Sequence, residues 1–276
     1  MKTQIEKANA FEKLHRKGHC FVIPNPWDAG SARLLEHLGC QALATTGAGF
    51  AFSQGKSDLS INAKDMLPHL AQLCRITSLP ISADLQNGFG STPEDAAITI
   101  IEAAKTGIVG CSIEDASGDP ACPIYDLGLA KERIQQAASA AKALGFKFML
   151  TARAENYFYG IPDLADTIVR LQAYQEAGAD VLYAPGVQSR ADIKSILDSI
   201  DRPLNVLMGL RGEQLTLPEL SELGVTRISL GGSLARTAYS AMISAINDIT
   251  STGRFTYASD AISGKEINAI FDCPAE

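Results

Sequence analysis

Eight short runs rich in apolar and β-branched residues alternate along this chain with longer stretches of helical periodicity. The runs fall at 20–24, 41–46, 80–84, 108–113, 147–152, 179–184, 203–208 and 225–230. Helical patterns fill 28–38, 63–77, 93–106, 125–144, 164–177 and 189–199. One of them opens on Thr92-Pro93-Glu94-Asp95, a capping threonine before a proline and two acids. Parallel strands covered on both faces read as near-continuous apolar runs, as these do. Eight strand–helix units in strict alternation predict a (β/α)8 TIM barrel of the α/β class. An open doubly wound sheet is the alternative, but no G-x-G-x-x-G follows the first run.

With 276 residues the chain has the length of one such barrel, so 1–276 is expected to be a single domain. Residues 250–276 form a helical extension, and a helix at about 257–271 is surplus to the eightfold count and available to a neighbouring subunit. A domain of this size buries roughly 75% of its unfolded surface and needs no staples. The six cysteines, Cys20, Cys40, Cys74, Cys111, Cys122 and Cys273, form no C-x-x-C pair, which argues against zinc and redox motifs. A net charge of −7 without a basic stripe argues against nucleic-acid or anionic-membrane partners. The N-terminus lacks a signal-peptide pattern and no run is long enough to span a membrane, so a cytoplasmic location is expected.

In a barrel, chemistry sits at the C-terminal ends of the strands. Those positions carry Asn25-Pro26-Trp27-Asp28, Thr45-Thr46-Gly47-Ala48-Gly49, Asp84 with Gln86 and Gly88, Glu114-Asp115, Arg153 and Asn205. Carboxylates on adjacent strands repel unless a positive charge lies between them, and hard oxygen donors around one point suit Mg²⁺. The plainer alternative is that Asp84 and Glu114 cap helices or pair with Arg153. Arg153 can hold a carboxylate bidentately. The 46–48 turn offers small side chains and backbone N–H groups as an anion cradle, or is simply a tight turn. Gly231-Gly232-Ser233 stands where barrels often bind phosphate.

Absences narrow the chemistry. No lysine lies at a strand end, which argues against a Schiff-base aldolase. His15, His19, His37 and His69 all fall on early helices or strand starts, away from the expected mouth, which disfavours histidine acid–base chemistry.

Taken in order, Asn25-Pro26-Trp27-Asp28-Ala29-Gly30, Thr45-Thr46-Gly47-Ala48, Asp84 in Ala-Asp-x-x-x-Gly-Phe-Gly, Ser112-Ile113-Glu114-Asp115 and Thr151-Ala152-Arg153 resemble the isocitrate lyase/phosphoenolpyruvate mutase superfamily over nearly the whole chain. The resemblance implies a barrel whose last helix is swapped between subunits of a dimer or tetramer. It implies Mg²⁺ held through Asp84, with Glu114 and Asp58 acting largely through water. It further implies Thr46, Gly47 and Ala48 on the substrate carboxylate, Arg153 on carboxylate or the adjoining oxygen, and Asn205 as a substrate contact.

Two departures stand out. Gln86 replaces the usual second acid and makes the metal site less negative by one charge. In the loop after strand four the Lys-x-Cys-Gly of the lyases is reduced to Cys122 without its lysine, and the Lys-x-Asn of the mutase and phosphonopyruvate hydrolase is absent. Cys122 is thus a candidate catalytic acid, with water as the alternative. The expected activity is Mg²⁺-dependent C–C bond cleavage in a small 2-oxo or 2-hydroxy dicarboxylate, with Arg153 and Glu114 in catalytic roles and an enolate-like intermediate. P–C chemistry on phosphonopyruvate and a non-catalytic oxo-acid-binding barrel are the alternatives.

Overall fold

A computed structural model describes residues 2–272. The eight strands are β1 (Phe21–Ile23), β2 (Leu43–Ala44), β3 (Ile81–Asp84), β4 (Gly110–Glu114), β5 (Met149–Arg153), β6 (Val181–Tyr183), β7 (Leu204–Leu207) and β8 (Arg227–Ser229). All pair in parallel, in the order β1-β8-β7-β6-β5-β4-β3-β2. Between β1 and β2 no ladder forms among the described residues. The ring is drawn together there by one backbone bond, Ala44 N–H to Pro24 O at 3.1 Å. The Asn25 side chain reinforces the seam, donating to Thr45 O and accepting from Leu230 and Gly231 N–H, each at 2.9 Å.

Helix α1 (Gln4–Leu14) precedes the barrel, and α2 (Ala29–His37) follows β1. After β2 come α3 (Gly47–Ser53) and α4 (Ala63–Ile76). The remaining strands are followed in turn by α5 (Pro93–Ala104), α6 (Leu127–Lys142), α7 (Leu164–Ala177), α8 (Arg190–Leu197), α9 (Leu217–Leu223) and α10 (Ser233–Thr252). Thr92 caps α5 as its sequence implies, with Thr92 Oγ1 accepting from Asp95 N–H at 3.1 Å and the Asp95 carboxylate reaching back to the Thr92 N–H.

Each strand divides its side chains between two surroundings, because successive residues face opposite sides. Ala83, Cys111, Ile113, Leu150, Ala152, Leu182, Val206 and Ile228 join the buried apolar layer under the helices. The intervening positions face the barrel interior, and many are polar: Ser82 and Asp84, Ser112 and Glu114, Thr151 and Arg153, Asn205, Arg227 and Ser229. The opposite end is closed by α1, where Ala8 and Phe11 pack on Phe21, Ile23, Val109, Met149 and Val181. Burying that apolar plug contributes about 1.5–3 kcal/mol for each large side chain.

The expected helix over 257–271 is broken in two. A 3₁₀ turn covers Thr256–Ser259, and α11 (Gly264–Asp272) begins only after Ser263, whose hydroxyl accepts from Glu266 N–H at 3.2 Å. This capping interaction fixes the later start. In this chain α11 lies against its own α2, with Arg33 Nη2 donating to Phe271 O at 3.1 Å. It has no buried residue, and α10 buries only Ala235 while exposing Met242, Ile243 and Ile246. The described cysteines are free, and Cys273 lies outside the described residues.

Candidate active site

A cavity of about 420 Å³ opens at the C-terminal ends of the strands. Thr46, Gly47, Ala48, Asp58, Asp84, Gln86, Glu114, Arg153 and Asn205 all line it. The strand register explains the gathering: Glu114 pairs with Arg153, Arg153 with Tyr183, Tyr183 with Asn205 and Asn205 with Arg227. None of the four histidines lines the cavity.

Arg153 stands at its centre. Its Nη1 lies 3.0 Å from Asp84 Oδ1, its Nη2 3.1 Å from Glu114 Oε2 and its Nε 2.7 Å from Glu155 Oε1. The Tyr183 ring lies 5.3 Å from the guanidinium carbon. One cation therefore serves three acids, two of them almost wholly withdrawn from water. Burial, together with the neighbouring acids, pushes the Glu155 carboxyl up to about 7 and Glu114 well above the carboxylate range, although Arg153 opposes both. Burial alone would favour a neutral guanidine, but Glu155, Glu114 and Asp84 outweigh it and hold Arg153 firmly charged. The pairing with Arg153 raised as the plainer alternative is thus present, and the carboxylates still outnumber it.

Asp84 is fixed from several sides. Its Oδ2 accepts from Gly47 N–H at 2.9 Å, and its own N–H donates to Thr45 Oγ1 at 2.9 Å. The Gly47 N–H of the expected anion cradle is therefore spent on Asp84. Gln86 is held in the left-handed region (φ +51°), unusual for a residue with a side chain, and its buried Nε2 has no protein partner. An orphaned N–H donor costs free energy unless an acceptor, such as a substrate oxygen or a metal-bound water, satisfies it. Asp58 is exposed at the rim, its carboxyl pushed up by partial burial and by Asp84.

The donor set tests well against Mg²⁺. Asp84, Glu114, Asp58 and the amide of Gln86 are hard oxygen groups with a surplus of negative charge. Among the described residues no three His, Cys, Asp or Glu converge as a closed cage. Mg²⁺ retains several waters and takes few direct protein ligands, so an open arrangement suits it.

Two expected contacts are placed differently. Asn205 is buried and committed: its oxygen accepts from Arg227 Nε at 2.8 Å, and its Nδ2 donates to Ser229 Oγ at 2.9 Å. Cys122 does not reach the cavity. Ala116 and Ile124 form an antiparallel bridge that folds the loop back on itself, leaving Cys122 exposed with its Sγ 3.7 Å from Ile124 O.

Other lining residues lay outside the reading of the motifs. Glu155 follows Arg153 by two residues, so the period of the strand was its signal. Tyr159 lies on the loop after β5, its phenol raised by burial and by Glu114 and Glu155. Arg236, in the first turn of α10, is exposed and has no partner among the described residues. Arg227 is buried among Asn205, Thr151 and His15, and burial pushes it down to about 10.

This nearly closed ring of parallel strands, with buried acids gathered at its C-terminal mouth, is a (β/α)8 TIM barrel with its candidate active site where barrel enzymes carry theirs. The chain belongs to the phosphoenolpyruvate phosphomutase family, whose model matches residues 11–250. It is 28% identical over 239 residues to the 2-methylisocitrate lyase of Escherichia coli K12, covering 84% of this chain and 76% of that protein. A crystal structure from Burkholderia cenocepacia J2315, described provisionally as a lyase/mutase, is 50% identical with a TM-score of 0.97, covering 98% of each chain. A phosphonopyruvate hydrolase solved with oxalate and Mg²⁺ shares the fold at 21% identity and a TM-score of 0.85, covering 98% of this chain and 95% of that one. The named relatives within this isocitrate lyase/phosphoenolpyruvate mutase superfamily are thus enzymes, lyases and hydrolases among them, and among the described residues no helix is long and apolar enough to cross a membrane.

Proposed function

We propose that this protein is a Mg²⁺-dependent lyase or hydrolase that cleaves a C–C bond of a small 2-oxo or 2-hydroxy dicarboxylate through an enolate-like intermediate. The observation that carries this reading is the surplus of buried acids around Arg153, beside a Gln86 Nε2–H that has no acceptor among the described residues. Asp84, Glu114, Asp58 and Gln86 would hold Mg²⁺, which when bound supplies Lewis-acid stabilisation of charge on the substrate oxygens.

The chain's own groups do the rest. Arg153 binds the carboxylate or the adjoining oxygen and, fixed by three acids, needs no reorganisation as charge develops there. The 46–48 turn cradles the same carboxylate through the backbone N–H groups left free by Asp84. Arg236 at the rim takes the far carboxylate, a second anionic end that the unpaired guanidinium suits. Breaking the C–C bond of a 2-hydroxy acid, or of a 2-oxo acid to which water has added, turns the hydroxyl into a carbonyl as its proton passes to one of the acids around Arg153. It leaves an electron pair on carbon that a second proton must quench. The Tyr159 hydroxyl lines the same cavity and is a candidate donor, beside a water or Cys122 should its loop close over the pocket. Phe52, Leu59 and Phe158 line the same cavity and limit water around the reacting carbon.

The test is release of pyruvate, glyoxylate or oxalate from oxaloacetate, 2-methylisocitrate, isocitrate, dimethylmalate and phosphonopyruvate, with Mg²⁺ and with EDTA. EDTA-sensitive release from one dicarboxylate, lost in Asp84→Ala, is expected. Full metal-dependent turnover by Asp84→Ala overturns the assignment. Arg236 and the adjoining Gly231-Gly232 turn would also accept a phosphonate, so faster cleavage of phosphonopyruvate would favour P–C chemistry. Silence across the panel, with oxalate raising the melting temperature only in Mg²⁺, would favour a binding role. The exposed apolar face of α10 supports a homo-oligomer, which sedimentation measures directly.

A further inference from the structure

A second cavity, of about 600 Å³, lies at the N-terminal end of the barrel. Its walls come from the end of α1 and from the beginnings of β5, β6 and β7, and it shares no lining residue with the substrate pocket. Four cationic side chains meet there, Lys13, Arg16, Lys147 and Arg202, against two acids, Glu12 and Asp180. Asp180 is already spent. It takes a short bond from Lys147 and, at 2.9 Å, the backbone N–H of Leu150. Lys13, Arg16 and Arg202 are exposed and have no partner among the described residues.

Four cations against two acids leave a surplus of two positive charges around one concavity, in a chain whose net charge is −7. Like charges gathered around a cavity repel one another and focus a field that attracts anions. The floor adds definition. His15 is buried between Phe11 and Phe21, with ring centroids 4.7 and 5.1 Å away. Its Nδ1 faces Phe11 O at 2.9 Å, which assigns the proton to that nitrogen and leaves Nε2 facing Arg227 Nη1 at 3.5 Å. Burial and Arg227 push its pKa down to about 3, so the floor is a neutral ring and the charge sits on the walls.

We propose that this end of the barrel is a binding site for a small multivalent oxyanion, a di- or tricarboxylate or a phosphate, separate from the substrate pocket. Two guanidinium groups suit the planar, bidentate geometry of such oxygens. A surplus of two charges matches a dianion and leaves a trianion one charge to spare.

The test is calorimetric titration of the metal-free protein with citrate and, separately, with inorganic phosphate, at constant ionic strength. Wild type is compared with Lys13→Gln/Arg16→Gln/Arg202→Gln and with Arg236→Gln, which alters the other mouth. The expected result is saturable binding with a Kd below about 1 mM. It should weaken about tenfold or more in the triple variant, since each lost charged hydrogen bond is costly, and persist in Arg236→Gln. The three side chains are exposed and unpartnered, and an unchanged melting temperature without anion verifies folding. Single Arg16→Gln and Arg202→Gln variants, each weakening binding severalfold, supply a second arm. Either anion binding in this pattern supports the site and tells carboxylate from phosphate preference. Binding of neither, binding indifferent to the triple substitution, or binding lost only in Arg236→Gln overturns it.

Discussion

Arg153→Gln separates the charge of the central guanidinium from its mere presence in the pocket. Its side chain is 14% exposed, while those of Glu155, Glu114 and Asp84 are 2%, 6% and 20% exposed. Removing one member of a buried ion pair costs about 3–5 kcal/mol, because the remaining charge is stranded. Here three acids are stranded at once, so the upper part of that range applies wherever they are ionised. They can escape by binding protons. Burial already lifts Glu155 to about 7 from the ordinary 4.5. A carboxyl raised in the folded state keeps its proton while the unfolded chain has lost it, so stability falls as pH rises from about 4.5 through the folded pKa. Without Arg153 the carboxyls of Glu155 and Glu114 rise further, and the variant's deficit should be small near pH 5 and reach about 3–5 kcal/mol near pH 8. Urea unfolding followed by circular dichroism at both pH values measures it. Added MgCl₂ should restore more stability to the variant than to the wild type at the higher pH. A deficit equal at both pH values, or no deficit at either, would refute the account of Arg153 as the counter-charge of three buried acids.

Other substitutions test the remaining pieces. Gln86→Asp adds one negative charge to the proposed cation site and should lower the Mg²⁺ concentration for half-maximal activity severalfold to about tenfold; an unchanged titration would place Gln86 outside the cation's reach. Cys122→Ser should leave kcat within about twofold, as the thiol is exposed outside the cavity. A far larger loss would show that the loop after β4 closes over the substrate. Gly49→Ala would bring a methyl group within 2.6 Å of Thr46 Cγ2 and 3.0 Å of Trp27 Cβ. It should cost about 1–3 kcal/mol, visible as a lower melting temperature, and an unchanged temperature would mean that the turn shifts freely.

The alternation of strands and helices was readable because burial on both faces leaves its mark on every strand. Closure of the ring followed from counting. The interior of the barrel was harder to read, since its polar positions interleave with apolar ones on strands of only two to five residues. Arg153 and Glu114 stood out as strand-end residues, whereas Glu155, one alternation beyond Arg153, looked like ordinary loop composition. Arg227 sits at the start of β8, where a charge usually marks a solvated entrance, and its burial depends on Asn205, Thr151 and His15 from distant parts of the chain. Arg236 was hidden for a similar reason, because a cation in the first turn of a helix is unremarkable until the helix end is known to face the pocket. Cys122 shows the reverse case. Sequence register put it beside the chemistry, but a hairpin turn whose bridge joins Ala116 to Ile124 carries it away.

The seam between β1 and β2 bears on how the pocket can move. Seven of the eight strand junctions are laddered, and the eighth depends on one backbone bond and the carboxamide of Asn25. That carboxamide works as a clasp. One end grips Thr45, immediately before the 46–48 turn, and the other grips Leu230 and Gly231, at the approach to Arg236. The two walls of the pocket that would meet opposite ends of an elongated anion are thus buckled together at the weakest point of the ring. Any widening of the mouth at this seam strains the clasp before it strains a ladder, so the separation of the two walls depends on a single side chain that also lines the cavity.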